Sequence, residues 1–82
     1  MKTLNISDNA KKDLKKLDKN STHRILKKLF EFSQNSDAFE IKKLKTFNNL
    51  YRIRIGDYRA VFEYTSNEII VLKIGHRKEI YK

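Results

Sequence analysis

Between Phe32 and Leu50 the spacing of apolar residues changes from the period of a helix to the period of a strand, and few folds accommodate that switch. Up to Phe32 the apolar positions recur at i, i+4 and i+7: Ala10, Leu14 and Leu17 in one run, Ile25, Leu29 and Phe32 in the next, with Leu26 and Phe30 widening the second stripe. From Leu50 onward the period is two, with Tyr51, Ile53 and Ile55 pointing one way and Leu50, Arg52 and Arg54 the other. A chain of this kind must lay helices on a sheet.

The remaining punctuation fills in the order. Leu4 and Ile6 alternate with polar neighbours, which predicts a short opening strand. Ser7 reads as a helix N-cap with Asp8 in the first turn, and after the polar break at Asp18 to Asn20 a second capping signal falls at Asn20 or Ser21. Two helices on a short polar turn make an antiparallel hairpin. The segment Ser33 to Asn49 has no sustained period and is expected to be mostly irregular, pinned to the core by Phe39, Leu44 and Phe47. Gly56-Asp57 and Thr65 to Glu68 are turn signals, so Leu50 to Ile74 predicts a three-stranded antiparallel meander. The expected architecture is α+β, in the order β-α-α-β-β-β, as one domain over residues 1–82 with both helices on one face of the sheet.

Charge narrows the function. Nineteen Lys and Arg against ten Asp and Glu leave a formal charge of +9, a field whose self-repulsion opposes folding and whose usual reason is a polyanionic partner such as nucleic acid. The excess is spread over both halves of the chain, so no basic tail accounts for it. The chain has no cysteine, which removes disulfides, thiolate metal sites and a thiol nucleophile. His23 and His76 fall in different elements without a spaced carboxylate set, so no metal and no cofactor is expected. MKTLNISDNA reaches polar residues at once, without the apolar stretch of a signal peptide, and no window has the length of a membrane span; a cytoplasmic protein with no membrane partner is expected.

The stretch YRIRIGDYRAVF then poses a problem. If Gly56 and Asp57 form a two-residue type II′ loop, Ile55 faces Tyr58 and Arg54 faces Arg59 across the ladder, with Arg52 on the same side. Directly opposed like charges cost a sheet pair about 0.2 to 1 kcal/mol. Tyr51, Ile53, Ile55, Tyr58, Ala60 and Phe62 make the face that helices cover, which leaves the arginines on the open face. Asp57 and Glu63 are the only acids in those two strands, so an anion site accounts for the cluster better than local neutralisation does. With the simplest register at Ser66-Asn67, Val61, Leu72 and Ile74 are expected to share the arginine face. The lysines on the helices (Lys11, Lys12, Lys15, Lys16, Lys19, Lys27, Lys28) fit either a phosphate grip or a solvated surface. His76, Arg77 and Tyr81 close the chain, and an imidazole and a phenol are both proton carriers.

KLKTFNNLYRIRIGDYRAVFEY followed by IIVLKIGHRKEIYK resembles the RelE toxins of the RelE/ParE superfamily of toxin-antitoxin systems. The likeness covers nearly the whole chain and is most specific in the L-Y-R-I-R-I-G-D-Y-R hairpin and the G-H-R-x-x-x-Y ending. The resemblance implies a type II toxin that enters the decoding site of the ribosome and cuts mRNA without a metal. It also implies a cognate RelB-like antitoxin as partner. Carried over residue by residue, it makes Arg52, Arg54, Arg59, Arg77 and Tyr81 catalytic, with His76 a candidate acid or base, while the charge of Lys42, Lys43 and Lys45 suits them to hold RNA electrostatically. Arg52 and Arg54 stand where lysine is also common in the family, and arginine is a poor proton carrier. The alternatives are a gyrase inhibitor of the ParE kind and a non-catalytic relative that binds only its antitoxin.

Overall fold

The computed structural model describes residues 2–44 and 50–76. Strand β1 (Thr3–Ile6) leads into helix α1 (Asp8–Lys15) and helix α2 (Lys19–Gln34); a 3-10 turn (Ser36–Ala38) is followed by β2 (Ile41–Lys43), β3 (Leu50–Ile55), β4 (Tyr58–Tyr64) and β5 (Glu68–His76). The five strands form one sheet in the order β1-β5-β4-β3-β2. β1 runs parallel to β5, and every other neighbour is antiparallel. The expected α+β order stands, with an edge strand added on each side of the meander.

Both helices start on side-chain caps. Ser7 Oγ accepts from the Ala10 N–H at 3.1 Å, as the sequence predicts. For α2 the cap is Asp18, whose carboxylate accepts from the Ser21 N–H at 3.2 Å, two or three residues before the expected Asn20 or Ser21. An aspartate in extended conformation holds an N3 amide as well as a serine does, and the earlier start lets Thr22 donate to the Leu14 carbonyl at 3.0 Å, tying the two helices.

Ala10 and Leu14 of α1 and Ile25, Leu29 and Phe32 of α2 pack on Ile53, Ile55, Ala60, Phe62, Ile69, Val71 and Ile74, so one face of the sheet carries the core. Phe32 anchors it. Its ring lies 5.6 Å from Phe39, 5.2 Å from Phe62 and 5.9 Å from Tyr64, the first two edge-on.

Two expectations change. The segment after α2 is less irregular than its composition implies, because Ile41–Lys43 finds a partner in β3 and Leu44 N–H donates to the Leu50 carbonyl at 2.9 Å. Phe39 does reach the core, while Phe47 lies outside the described residues. The second hairpin closes at Ser66-Asn67 as expected, and Tyr64, Glu63 and Phe62 face Ile69, Ile70 and Val71. The register then slips: Val61 faces Lys73, Ala60 faces Ile74 and Arg59 faces Gly75. Leu72 is the extra residue of a β-bulge. Ile74 is therefore core, 3% exposed, and not on the arginine face. The bulge is held from α1, since Ser7 Oγ donates to the Leu72 carbonyl at 3.2 Å and the Ile74 N–H donates to Asp13 Oδ2 at 2.9 Å. Those bonds satisfy backbone groups that a bulge takes out of the ladder.

Candidate functional site

Gly56 alone among the described residues has a positive φ, +61°, while Asp57 does not, which is the pattern of a type II′ loop. The loop sets the register: Ile55 opposite Tyr58 and Arg54 opposite Arg59. Strand alternation does the rest, putting Arg52, Arg54 and Arg59 on the face away from the helices. β2 extends the cluster, because Lys42 is the ladder partner of Arg52. The open face thus carries lysine or arginine on three consecutive strands, β2, β3 and β4.

These cations border a cleft of about 430 Å³ lined by Phe39, Glu40, Lys42, Arg52, Arg54 and Arg59. Arg54 Nε donates to the Gly56 carbonyl at 3.3 Å, which ties its side chain back over the turn. Arg59 is different. Its Nε and Nη1 are shielded from solvent and have no hydrogen-bond partner among the described residues. A guanidinium cannot shed its charge at physiological pH, and each buried donor left unmade costs about 1 to 3 kcal/mol. An acceptor-rich anion would recover that cost, and phosphate oxygens match the guanidinium fork.

Of the residues expected in the site, Lys42, Arg52, Arg54 and Arg59 are brought together. Lys43 is the partner of Tyr51 and so lies on the helix-side face of edge strand β2. His76 is also separated: it faces Tyr58 across the ladder, and the two rings meet edge to face at 5.8 Å and 82° on the side away from the arginines. Lys45, Arg77 and Tyr81 lie outside the described residues. Glu40 was not anticipated. It is an exposed carboxylate at the rim, and its signal was the alternation Glu40, Ile41, Lys42, concealed because the segment was read as irregular. Among the described residues there is no cluster of three or more His, Cys, Asp or Glu side chains placed to hold a metal ion, and no helix is long and apolar enough to cross a membrane.

Comparison with known proteins bears on this arrangement. A sequence profile described as "ParE toxin of type II toxin-antitoxin system, parDE" matches residues 4–81. Toxin RelE3 of Methanocaldococcus jannaschii is 41% identical over 75 residues, spanning 85% of this chain and 84% of that protein. A chain of the crystallised RelB-RelE antitoxin-toxin complex from Methanococcus jannaschii superposes with a TM-score of 0.74 at 36% identity, over 94% of each chain. One from the toxin-antitoxin complex RelBE2 of Mycobacterium tuberculosis superposes at 0.82 over 93% of this chain and 98% of its own, with 19% identity, a likeness of fold.

Proposed function

The chain belongs to the ParE/RelE family of type II toxin-antitoxin toxins, as a RelE-type member, and on that premise we propose that it is a ribosome-dependent endoribonuclease that cuts mRNA and so stops translation. The observation that carries the reading is Arg59, a permanent cation whose two buried N–H groups are unsatisfied among the described residues, beside Arg52, Arg54 and Lys42. In the reaction the ribose 2′-hydroxyl loses its proton to a base and attacks the adjacent phosphorus. The P–O5′ bond breaks, and the leaving oxygen takes up a proton, which yields a 2′,3′-cyclic phosphate and a 5′-hydroxyl. Charge on the phosphorane-like transition state exceeds that of the diester, so fixed donors aimed at the phosphate bind it more tightly than the ground state.

Arg59, with Arg77, is assigned to that charge; Arg52 and Arg54 position the message, and Lys42, Lys43 and Lys45 hold RNA electrostatically. Tyr81 serves as base or as an orienting group. His76, on the opposite face, is assigned no proton. Among the described residues the cleft holds cations, one rim carboxylate and no efficient acid/base pair, and alignment of the message by the ribosome is assigned a large share of the rate. The step takes place in the cytoplasm, where the ribosomes are. A RelB-like antitoxin restrains it by laying an acidic segment, disordered when free, over the open face.

The test is to translate a defined mRNA with and without the protein and map new 5′ ends. Cleavage on ribosomes with naked mRNA largely intact supports the reading, and equal cleavage of free RNA sinks it. Because the matching family profile is named for ParE, a DNA supercoiling assay with gyrase belongs beside it. Gyrase inhibition without message cleavage would replace the proposal with the ParE activity.

A further inference from the structure

β1 covers β5 only from Glu68 to Val71, and beyond that point the free edge of β5 looks towards α1. There a second cleft of about 590 Å³ opens, lined by Lys16, Leu17, Tyr58, Lys73, Gly75 and His76. Asp13 also borders it, but its carboxylate is engaged by the Ile74 N–H at 2.9 Å, and beside the aliphatic Leu17 the cleft presents the ammonium groups of Lys16 and Lys73 and the rings of Tyr58 and His76. Tyr58 and His76 stand at 82° with ring centroids 5.8 Å apart, a corner in which a planar guest lies on one ring and meets the other edge-on. Lys16 and Lys73 are both exposed at the same cleft.

We propose that this cleft binds one nucleotide of single-stranded RNA, its base in the Tyr58–His76 corner and its phosphate between Lys16 and Lys73. The inference rests on the nuclease reading and extends it by giving the message a path. Tyr58 and Arg59 are consecutive on β4, and their ladder partners His76 and Gly75 are consecutive on β5. The two clefts therefore lie back to back across the end of the sheet. Gly75, opposite Arg59 and lining the second cleft, puts no side chain in the way of a strand that leaves Arg59 and rounds that end. The bulge at Leu72 creates this arrangement, because an unbroken register would set Ile74 beside Arg59 and Gly75 beside Tyr58. His76 thereby has a role on the face where it stands. An amphipathic helix would need a row of apolar anchors, and the cleft offers rings and ammonium groups instead.

The probe is a fluorescently labelled five-nucleotide RNA with a 2′-O-methyl sugar at each position, which cannot be cut, titrated into the full chain by anisotropy at several salt concentrations. Tyr58→Leu is expected to weaken binding about ten- to a hundredfold, the size of one lost base–aromatic stack. Lys16→Gln and Lys73→Gln, which change exposed side chains and leave the core untouched, should each lower the salt slope by about 0.7. A probe with one abasic position should lose the sensitivity to Tyr58→Leu while keeping that to the lysines. Wild-type affinity and salt slope in both lysine variants would overturn the second cleft, even if Arg59→Gln weakens binding and ribosomal cleavage is intact. Equal competition by polyglutamate would overturn it as well, since carboxylates would then serve as well as a nucleotide. Losses in these variants without any cleavage on ribosomes would keep the nucleotide site and remove the nuclease reading.

Discussion

Replacing Arg59 by methionine should make the protein more stable and less active at once. Methionine keeps an unbranched stem of similar reach for the neighbouring packing while removing the charge and its N–H groups. The free protein holds Nε and Nη1 of Arg59 shielded and unpartnered among the described residues, and it sets Arg59 directly opposite Arg54. Each unmade buried donor costs about 1 to 3 kcal/mol, and a like-charge ladder pair about 0.2 to 1 kcal/mol. The side chain as a whole is only half-buried, which argues for the low end, a net gain of about 1 to 3 kcal/mol. For a domain of this size 1 kcal/mol moves Tm by about 4 to 8 °C. Thermal melts followed by circular dichroism should therefore show Arg59→Met unfolding at least ~4 °C above wild type. The part due to Arg54 should shrink with added salt, and the part due to desolvation should persist. Single-turnover cleavage on saturated ribosomes should meanwhile fall by a factor of ~10² to 10³, as for loss of a transition-state donor. A variant that melts at or below the wild-type temperature would refute the idea that Arg59 is held in a costly state for the sake of an anion.

Phe32→Ala should cost about 3 to 5 kcal/mol, a large part of the stability of a domain this size, and urea denaturation should show a midpoint near zero denaturant. Gly56→Ala meets no atom within 4 Å, so its whole cost, about 1 to 2 kcal/mol, comes from the φ of +61° and should show as a lower Tm with unchanged cooperativity. Asp13→Ala removes a hydrogen bond to an ionised acceptor worth about 1.5 to 3 kcal/mol and should speed amide exchange at Ile74, whereas Asp13→Asn, which keeps an acceptor, should largely restore protection. Hydrogen bonds from Ser21, from its side chain and then its backbone N–H, hold the Asp18 carboxyl below its ordinary value of 3.8. Because the folded-state value is the lower one, the stabilisation is present at neutral pH and is lost as pH falls through and below that range. The Tm difference between wild type and Asp18→Asn should therefore shift against wild type on acidification from pH 5 to pH 2, and a constant difference would contradict the assignment.

What could be read from the sequence alone was whatever a few neighbouring residues decide among themselves. Helix stripes, the Ser7 cap and the Gly56-Asp57 loop are local, and the loop suffices to set Arg54 against Arg59 and send the arginines to the open face. The candidate site was legible because it hangs on that one turn. Contacts distant in sequence decided the rest. Ile41–Lys43 becomes a strand because β3 offers it an edge, which brings Lys42 and Glu40 to the cleft. The parallel seat of β1 on β5 depends on where the helices place it. The side of the sheet that His76 and Ile74 occupy follows from the bulge at Leu72, and the bulge is stabilised by Ser7 and Asp13, residues some sixty positions away. A period of two carries no mark of an extra residue when both registers keep apolar side chains available to the core, so only the carboxylate and hydroxyl of α1, meeting the backbone of β5, select between them.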